Sequence, residues 1–327
     1  MIDKTWLHNL GWKHLDNANM LLEDSAYTIG RITRQDRQHY TVITRSGLKR
    51  AQLMGKTRNK SFNKSDLPVV GDWIGIETDT GAESAARILQ QYPRKSALCR
   101  QAAGEVKEKQ ILAANIDTVF VISGLDQNFN VNRIERFLMM AWSSNLPVVL
   151  LLNKADLFPD YSTQLQALEP ILSGSPVHAV SALAGTATDT ILSYLGPGKS
   201  AALVGSSGVG KSTLVNQLMG TSHMKTKEVR AFDDKGRHTT THRELCILPN
   251  DQGILIDTPG MREAQLWVEP GDISNRYSDI VSLSASCKYS DCRHSQEPRC
   301  NVRAAVAEGT LSQYRLTQYQ KLTAYLI

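Results

Sequence analysis

The sequence predicts a multidomain chain in three parts: an OB-like β-barrel, a central α/β unit with a mostly parallel sheet, and a small C-terminal α-helical unit. Three observations point there. Short alternating segments fill residues 25 to 103, strand and helix patterns take turns from residue 111, and after about residue 270 helical pieces surround a cysteine-rich loop. The length of 327 residues agrees, because single cores rarely grow past about 250 residues. Boundaries are expected at 1–24 (an N-terminal extension with no legible role), 25–110, 111–270 and 271–327.

In the first part, "AYTIGRIT", "HYTVIT", "LKRAQLM", "DLPVVGDWIGIE" and "ESAARILQQY" alternate apolar with polar residues and are rich in β-branched and aromatic side chains. That is the pattern of half-buried strands. Five of them in so short a stretch fit a small barrel, for which the OB-fold is the usual host. Between the third and fourth, "GKTRNKSFNKSD" carries Lys56, Arg58, Lys60 and Lys64 among Asn and Ser. Such a cationic loop suits a phosphate backbone.

The central part begins with the strand "IDTVFVISG", the helical "NVNRIERFLMMAWSSN" and the strand "LPVVLLLN". A helix at "YSTQLQALEPILS", a strand at "PVHAVSA" and a helix from Thr188 to Leu195 follow. "KSAALVG" is a strand running into a glycine-rich loop, and "KSTLVNQLMG" is a helix stopped by Gly220; "RELCILP" and "GILIDTPG" are two further strands. Strand and helix in alternation imply a mostly parallel sheet covered on both faces.

Hydrophobic residues make up 41% of the chain and charged residues 21%, which excludes a disordered chain. The longest apolar runs, "TVFVIS" and "PVVLLL", fall far short of the roughly 20 residues a membrane-spanning helix needs, and the N-terminus lacks a signal-peptide core. A cytoplasmic protein with no membrane partner is expected. The net charge of +5 is uneven: residues 1 to 110 hold 18 Lys+Arg against 12 Asp+Glu, residues 111 to 270 hold 12 against 15, and the remainder 7 against 5. Basic ends flanking an acidic middle suit a polyanionic partner gripped from two sides.

The central motifs carry the chemistry. Gly205, Gly210, Lys211 and Ser212 satisfy G-x-x-x-x-G-K-[ST], between a strand and a helix. The stretch Gly205, Ser206, Ser207, Gly208, Val209, Gly210, Lys211, Ser212 and Thr213 would wrap phosphates with backbone N–H groups. Within it, Lys211 would neutralise the β- and γ-phosphates and Ser212 would ligate Mg²⁺. Asp257 ends a buried strand where a carboxylate can hold Mg²⁺, and Gly260 offers an unhindered N–H to the γ-phosphate. In "DDKGRHTTTHREL" a threonine can bring its hydroxyl to Mg²⁺. Thr240 is favoured, with Thr239 and Thr241 left open.

Asn153, Lys154 and Asp156 form N-K-x-D at the end of a strand. A carboxylate at Asp156 accepts two hydrogen bonds from guanine N1–H and the N2 amino group, and adenine offers neither donor there. The Lys154 stem can lie against the base, and Asn153 can brace the loop. Ser181 and Ala182 sit where a second base-contacting loop is expected. Near the C-terminus, Cys287, Cys292, His294 and Cys300 give C-x₄-C-x-H-x₅-C, the donor set of a closed tetrahedral Zn²⁺ site. No fifth ligand is evident, so the site is expected to be structural. Cys99 and Cys246 read as plain thiols in strands.

These motifs run in an unusual order: base loop, second base loop, phosphate loop, threonines, then D-T-P-G. A fold can be reconnected this way when its original ends lie close together. The chain resembles the circularly permuted, ribosome small-subunit-dependent GTPases of the RsgA (YjeQ) type, from the basic barrel through "LLNKADL", "GSSGVGKSTLVN", "GRHTTTH" and "IDTPGMRE" to "CKYSDCRHSQEPRC". The resemblance implies an OB-fold domain, a central P-loop GTPase domain with circular permutation and a C-terminal zinc-binding domain. It also implies a monomer that binds GTP and GDP with Mg²⁺, carries one structural Zn²⁺, and contacts the small ribosomal subunit and its rRNA late in assembly. Met261 stands where many Ras-like proteins place a water-orienting glutamine, and the resemblance points to His238 as its substitute. Two other readings compete: a P-loop enzyme acting on a small molecule or single-stranded nucleic acid, and a nucleotide-gated scaffold that barely hydrolyses GTP.

Overall fold

The computed structural model describes residues 4–12, 27–36, 39–53, 64–77, 85–101, 108–172, 174–220, 243–258, 273–274 and 277–324. Each of the five predicted barrel segments forms a strand: β1 (Tyr27–Asp36), β2 (His39–Thr44), β3 (Gly47–Leu53), β4 (Trp73–Glu77) and β5 (Ala86–Gln91). They pair in the order β1-β2-β3-β5-β4, and β4 returns to β1. Only the β3–β5 pairing is parallel. The barrel is therefore closed, with the five-stranded architecture of an OB-fold. Ile32, Val42, Ala51, Ile74, Ile76 and Ile88 point inward and are buried, as the alternation requires.

A two-stranded antiparallel ribbon, β6 (Ala97–Gln101) and β7 (Lys109–Ala114), connects the barrel to the central unit. The central strands are β8 (Thr118–Gly124), β9 (Val148–Asn153), β10 (Val177–Ala179), β11 (Ser200–Gly205), β12 (Glu244–Ile247) and β13 (Ile254–Asp257). Their order is β10-β9-β8-β11-β13-β12, parallel except for β12 against β13. Alternate side chains feed two cores. Val119, Val121, Leu150 and Leu152 face one side, where α2 (Val131–Ser143) and α3 (Ser162–Leu172) lie. Phe120, Ile122, Val149 and Leu151 face the other, beneath α4 (Ala187–Leu192) and α5 (Lys211–Met219). This two-sided cover explains why the central strands read as unbroken apolar runs. The start of α2 is capped by Asn130, whose Oδ1 accepts the Arg133 N–H at 2.9 Å.

The C-terminal unit consists of α6 (Ser278–Ser284), α7 (Asn301–Ala307) and α8 (Gln313–Ala324). It extends the first central core through Ile280, Val302 and Leu322, and Lys321 Nζ on α8 donates to Glu135 Oε1 on α2 at 2.8 Å. Among the described residues, no helix is long and apolar enough to cross a membrane.

The extension left without a role by its sequence contains α1 (Lys4–Asn9), and it joins barrel to centre. Trp12 packs edge-on against Trp73 and Tyr92, with ring centroids 4.9 Å apart in both pairs. At Gly198, in the left-handed region at φ 70°, an added Cβ would lie 2.3 Å from the His8 carbonyl oxygen, so only glycine lets the two segments approach. Arg31 on β1 is fully buried at this junction. Its guanidinium donates to Leu10 O (2.6 Å), Gly71 O (3.1 Å), Asn115 O (2.8 Å) and Ser200 Oγ (2.9 Å). A few residues along the same strand, Arg34 pairs with Glu244 of β12, so the barrel and central sheets are continuous.

Candidate functional site

The parallel strands all end on one edge, and that is where the described parts of the predicted nucleotide motifs lie, as is general for open α/β sheets. Gly205 ends β11, Asn153 ends β9, and Asp257 ends β13. Register places Asp257 beside Leu203, and Thr258 Oγ1 fixes the next turn by donating to Leu203 O at 2.6 Å.

The two loops that the chain order separates are in direct contact. Asn153 Nδ2 donates to Val209 O at 2.8 Å, and its Oδ1 accepts the Ala182 N–H at 2.8 Å. One buried amide thus ties the N-K-x-D loop to the phosphate-type loop and to the loop bearing Ser181 and Ala182. Ser181 stiffens its own turn: its N–H donates to Thr186 Oγ1 at 2.8 Å, and its Oγ accepts the Ala184 N–H at 3.0 Å. Gly210 begins α5 at φ 100°, where a Cβ would lie 2.2 Å from Asn153 Nδ2. Glycine is required there by conformation and by proximity. Lys154 Nζ donates to Gly208 O at 2.9 Å and to Asp126 Oδ2 at 2.6 Å. Asp126 belongs to no motif and was not foreseen. Asp156 is exposed beyond Lys154.

In the glycine-rich loop, Ser206 and Val209 are buried, Ser207 and Gly208 are exposed, and Ser212 and Thr213 are half-buried in the first turn of α5. Lys211 is buried, and its Nζ folds back onto Gly205 O (2.9 Å) and Ser206 O (2.8 Å). Burial lowers its pKa to about 8, against the opposing pull of Asp257. Asp257 is 1% exposed, and neither carboxylate oxygen has a hydrogen-bond partner among the described residues. Burial raises its pKa to about 6; Lys211 acts against the rise and Glu244 adds to it. A buried carboxylate with both oxygens unmatched, beside a buried ammonium, fits a pocket completed by a cation and an anion together. His238, Thr239, Thr240, Thr241, Gly260 and Met261 lie outside the described residues, as do Lys56, Arg58 and Lys60.

The four predicted metal ligands converge. One donor atom from each of Cys287, Cys292, His294 and Cys300 lies within 4.8 Å of the others. The edges Cys287 Sγ–Cys300 Sγ (3.8 Å), Cys287 Sγ–His294 Nδ1 (3.7 Å) and His294 Nδ1–Cys300 Sγ (3.3 Å) resemble those of a tetrahedron. Metal–sulfur bonds of about 2.3 Å would space sulfurs about 3.8 Å apart, so the donors could hold one ion. Ser284 Oγ spends its hydrogen on Ile280 O and therefore accepts from His294 Nε2, at 2.9 Å. That fixes the tautomer that leaves Nδ1 free to ligate. Gln320 on α8 donates to His294 O at 2.8 Å. N–H groups of Glu297 itself, Arg293, Ser295 and Gln296 hold the Glu297 carboxyl down to about 2, tightening the loop. Cys99 and Cys246 are buried in strands, as expected.

Known proteins share both sequence and fold. The family model for RsgA GTPase matches residues 91–267. A protein of Lactiplantibacillus plantarum named small ribosomal subunit biogenesis GTPase RsgA 2 is 43% identical over 302 residues, covering 92% of this chain and 84% of its own length. The small ribosomal subunit biogenesis GTPase RsgA of Opitutus terrae is 37% identical, covering 97% and 88%. Among solved structures, YjeQ from Thermotoga maritima aligns with a TM-score of 0.60 at 27% identity, covering 92% of this chain and 98% of its own. YloQ, described as a circularly permuted GTPase, shares the fold at a TM-score of 0.58 and 22% identity, covering 93% and 96%. With the N-K-x-D loop and the glycine-rich loop in inverted order yet in direct contact, and with similarity along nearly its whole length, this chain belongs to the RsgA GTPase family.

Proposed function

We propose that the chain binds GTP at the Asn153–Val209–Ala182 junction and hydrolyses it in the biogenesis of the small ribosomal subunit, the role its relatives are named for. The observation that carries this is the Asn153 side chain, which draws the base loops and the phosphate loop into one pocket although the chain visits them in reverse order. In this reading Asp156 recognises guanine, and residues 205–213 wrap the phosphates. Lys211 exchanges its two loop carbonyls for phosphate oxygens. Asp257, with Ser212 and Thr240, would hold Mg²⁺, which when bound neutralises charge on the phosphates. The unmatched oxygens of Asp257 support that assignment. His238 is assigned to the attacking water, in place of the glutamine that Met261 displaces.

Cys287, Cys292, His294 and Cys300 are assigned to one structural Zn²⁺. The protein is taken to work in the cytoplasm as a monomer, the basic barrel and the C-terminal unit gripping rRNA. Domain limits of 25–110, 111–270 and 271–327 follow from the same reading. The test is GTP and ATP turnover with and without purified small ribosomal subunits. GTP-selective hydrolysis that rises severalfold with subunits, and loses that rise in His238→Ala, supports the assignment. Equal use of ATP, or no response to subunits, overturns it.

A further inference from the structure

We propose that Asp126 is a positioning residue for the guanine-nucleotide pocket, holding the Lys154 ammonium so that the base loop and the phosphate loop stay closed on each other. The inference rests on the GTP reading above. Asp126 lies just beyond the end of β8, far in sequence from both loops, yet its Oδ2 is 2.6 Å from Lys154 Nζ. The same ammonium donates to Gly208 O at 2.9 Å, so Asp126, Lys154 and the phosphate loop form one chain of contacts. Both side chains are about four-fifths buried, at 21% and 22% exposure, where a charge-assisted bond is stronger than at an open surface.

The carboxylate is itself held in place. Asn128 donates to it from its backbone N (3.1 Å to Oδ1) and from its side chain (3.3 Å to Oδ2). Lys154 and Asn128 together keep the Asp126 carboxyl below its usual range, although burial acts in the opposite direction. Lys154 also sits at φ 71°, in the left-handed region. A lysine has no intrinsic preference for that conformation, so the fold holds its backbone there while its ammonium makes the two contacts across the loops.

Diphosphate and triphosphate use the same base loop and the same start of the phosphate loop. Loss of the Asp126 contact should therefore weaken both equally and leave the chemical step alone, the signature of uniform binding. The experiment measures the Kd of a fluorescent GDP analogue and of GTP, together with KM and kcat, in Asp126→Asn. We expect both Kd values and KM to rise about tenfold while kcat stays within about twofold. In a Lys154→Met background the same change should alter Kd by less than about twofold. Asn128→Ala, a second route to the same contact should Asp126→Asn fail to fold, should raise KM by a smaller factor that Lys154→Met also cancels. Unchanged Kd, a fall in kcat without a rise in KM, or an undiminished effect in Lys154→Met would overturn the proposal. The wild-type protein separates the two levels: if it does not prefer GTP to ATP, the underlying reading fails; if it does and the Asp126 variants bind normally, only Asp126 is misassigned.

Discussion

Lys211 and Asp257 are both held where their charged forms are disfavoured, the first shifted down to about 8 and the second up to about 6 by burial. For Asp257 the sign is definite. Its folded pKa lies above the unfolded value of about 3.9, so its contribution to stability is present in full below pH about 4 and is lost as pH rises through about 6. Asp257→Asn should therefore make the nucleotide-free protein more stable at neutral pH, by on the order of 2 kcal/mol, and flatten its stability between pH 4 and 7. The same change should remove Mg²⁺-dependent GTP turnover. Thermal melting across pH and an Mg²⁺ titration of activity check the two halves. The placement of these two residues was legible because their motifs fix it: a glycine-rich loop ends in Lys211 at the start of a helix, and an unbroken apolar strand ends in Asp257. Asp126 was not, since a partner for Lys154 is chosen by proximity and no spacing in the chain records it. Arg31 was hidden for a related reason. In "TIGRIT" alternation turns it away from the barrel core, and only the docking of a second domain makes that outward face an interior.

The elements with a long period or an unbroken apolar run were legible, among them the five barrel strands, β8, β9, β11 and α2. The β6–β7 ribbon was not resolved as a pair, because the buried half of β7 ends in two alanines that carry little strand preference and merges with the run leading into β8. Helix α1 is six residues long, too short to display a period, and its stability comes from Trp73 and Tyr92 far along the chain. The C-terminal unit shows the opposite case, a short segment whose donor spacing alone announced its structure. Its helices α6 and α7 are seven residues each, so an ion held by the four converging donors would supply much of their order. Cys292→Ser, or prolonged chelation, should release one equivalent of zinc and make residues 277–324 rapidly cleavable by protease. GTP affinity should change by less than about threefold, because the residues assigned to the nucleotide lie on other elements. Metal analysis, limited proteolysis and nucleotide titration read the three effects.

Across the whole molecule the barrel and the central sheet are joined by one buried cation and a shared sheet. The Arg31 guanidinium satisfies acceptors from α1's segment, from the barrel, from the linker before β8 and from β11. Its pKa falls to about 10 through burial, partly offset by Asp117 and Asp72, so it remains charged at neutral pH. Arg31→Ala would remove the guanidinium from all four acceptors, of which Gly71 O keeps the Asn115 side-chain amide, and should lower stability by about 3 kcal/mol or more. Differential scanning calorimetry should then resolve separate barrel and central transitions where the parent protein gives one.

Sharing β1 has a structural corollary. Glu244, its neighbour across the sheet, opposes Arg34 on one side and Asp257 on the other. A single strand, β12, therefore lies between β1 of the barrel and the strand that ends in Asp257. The barrel and the carboxylate assigned to the metal are thus one strand apart in a continuous sheet.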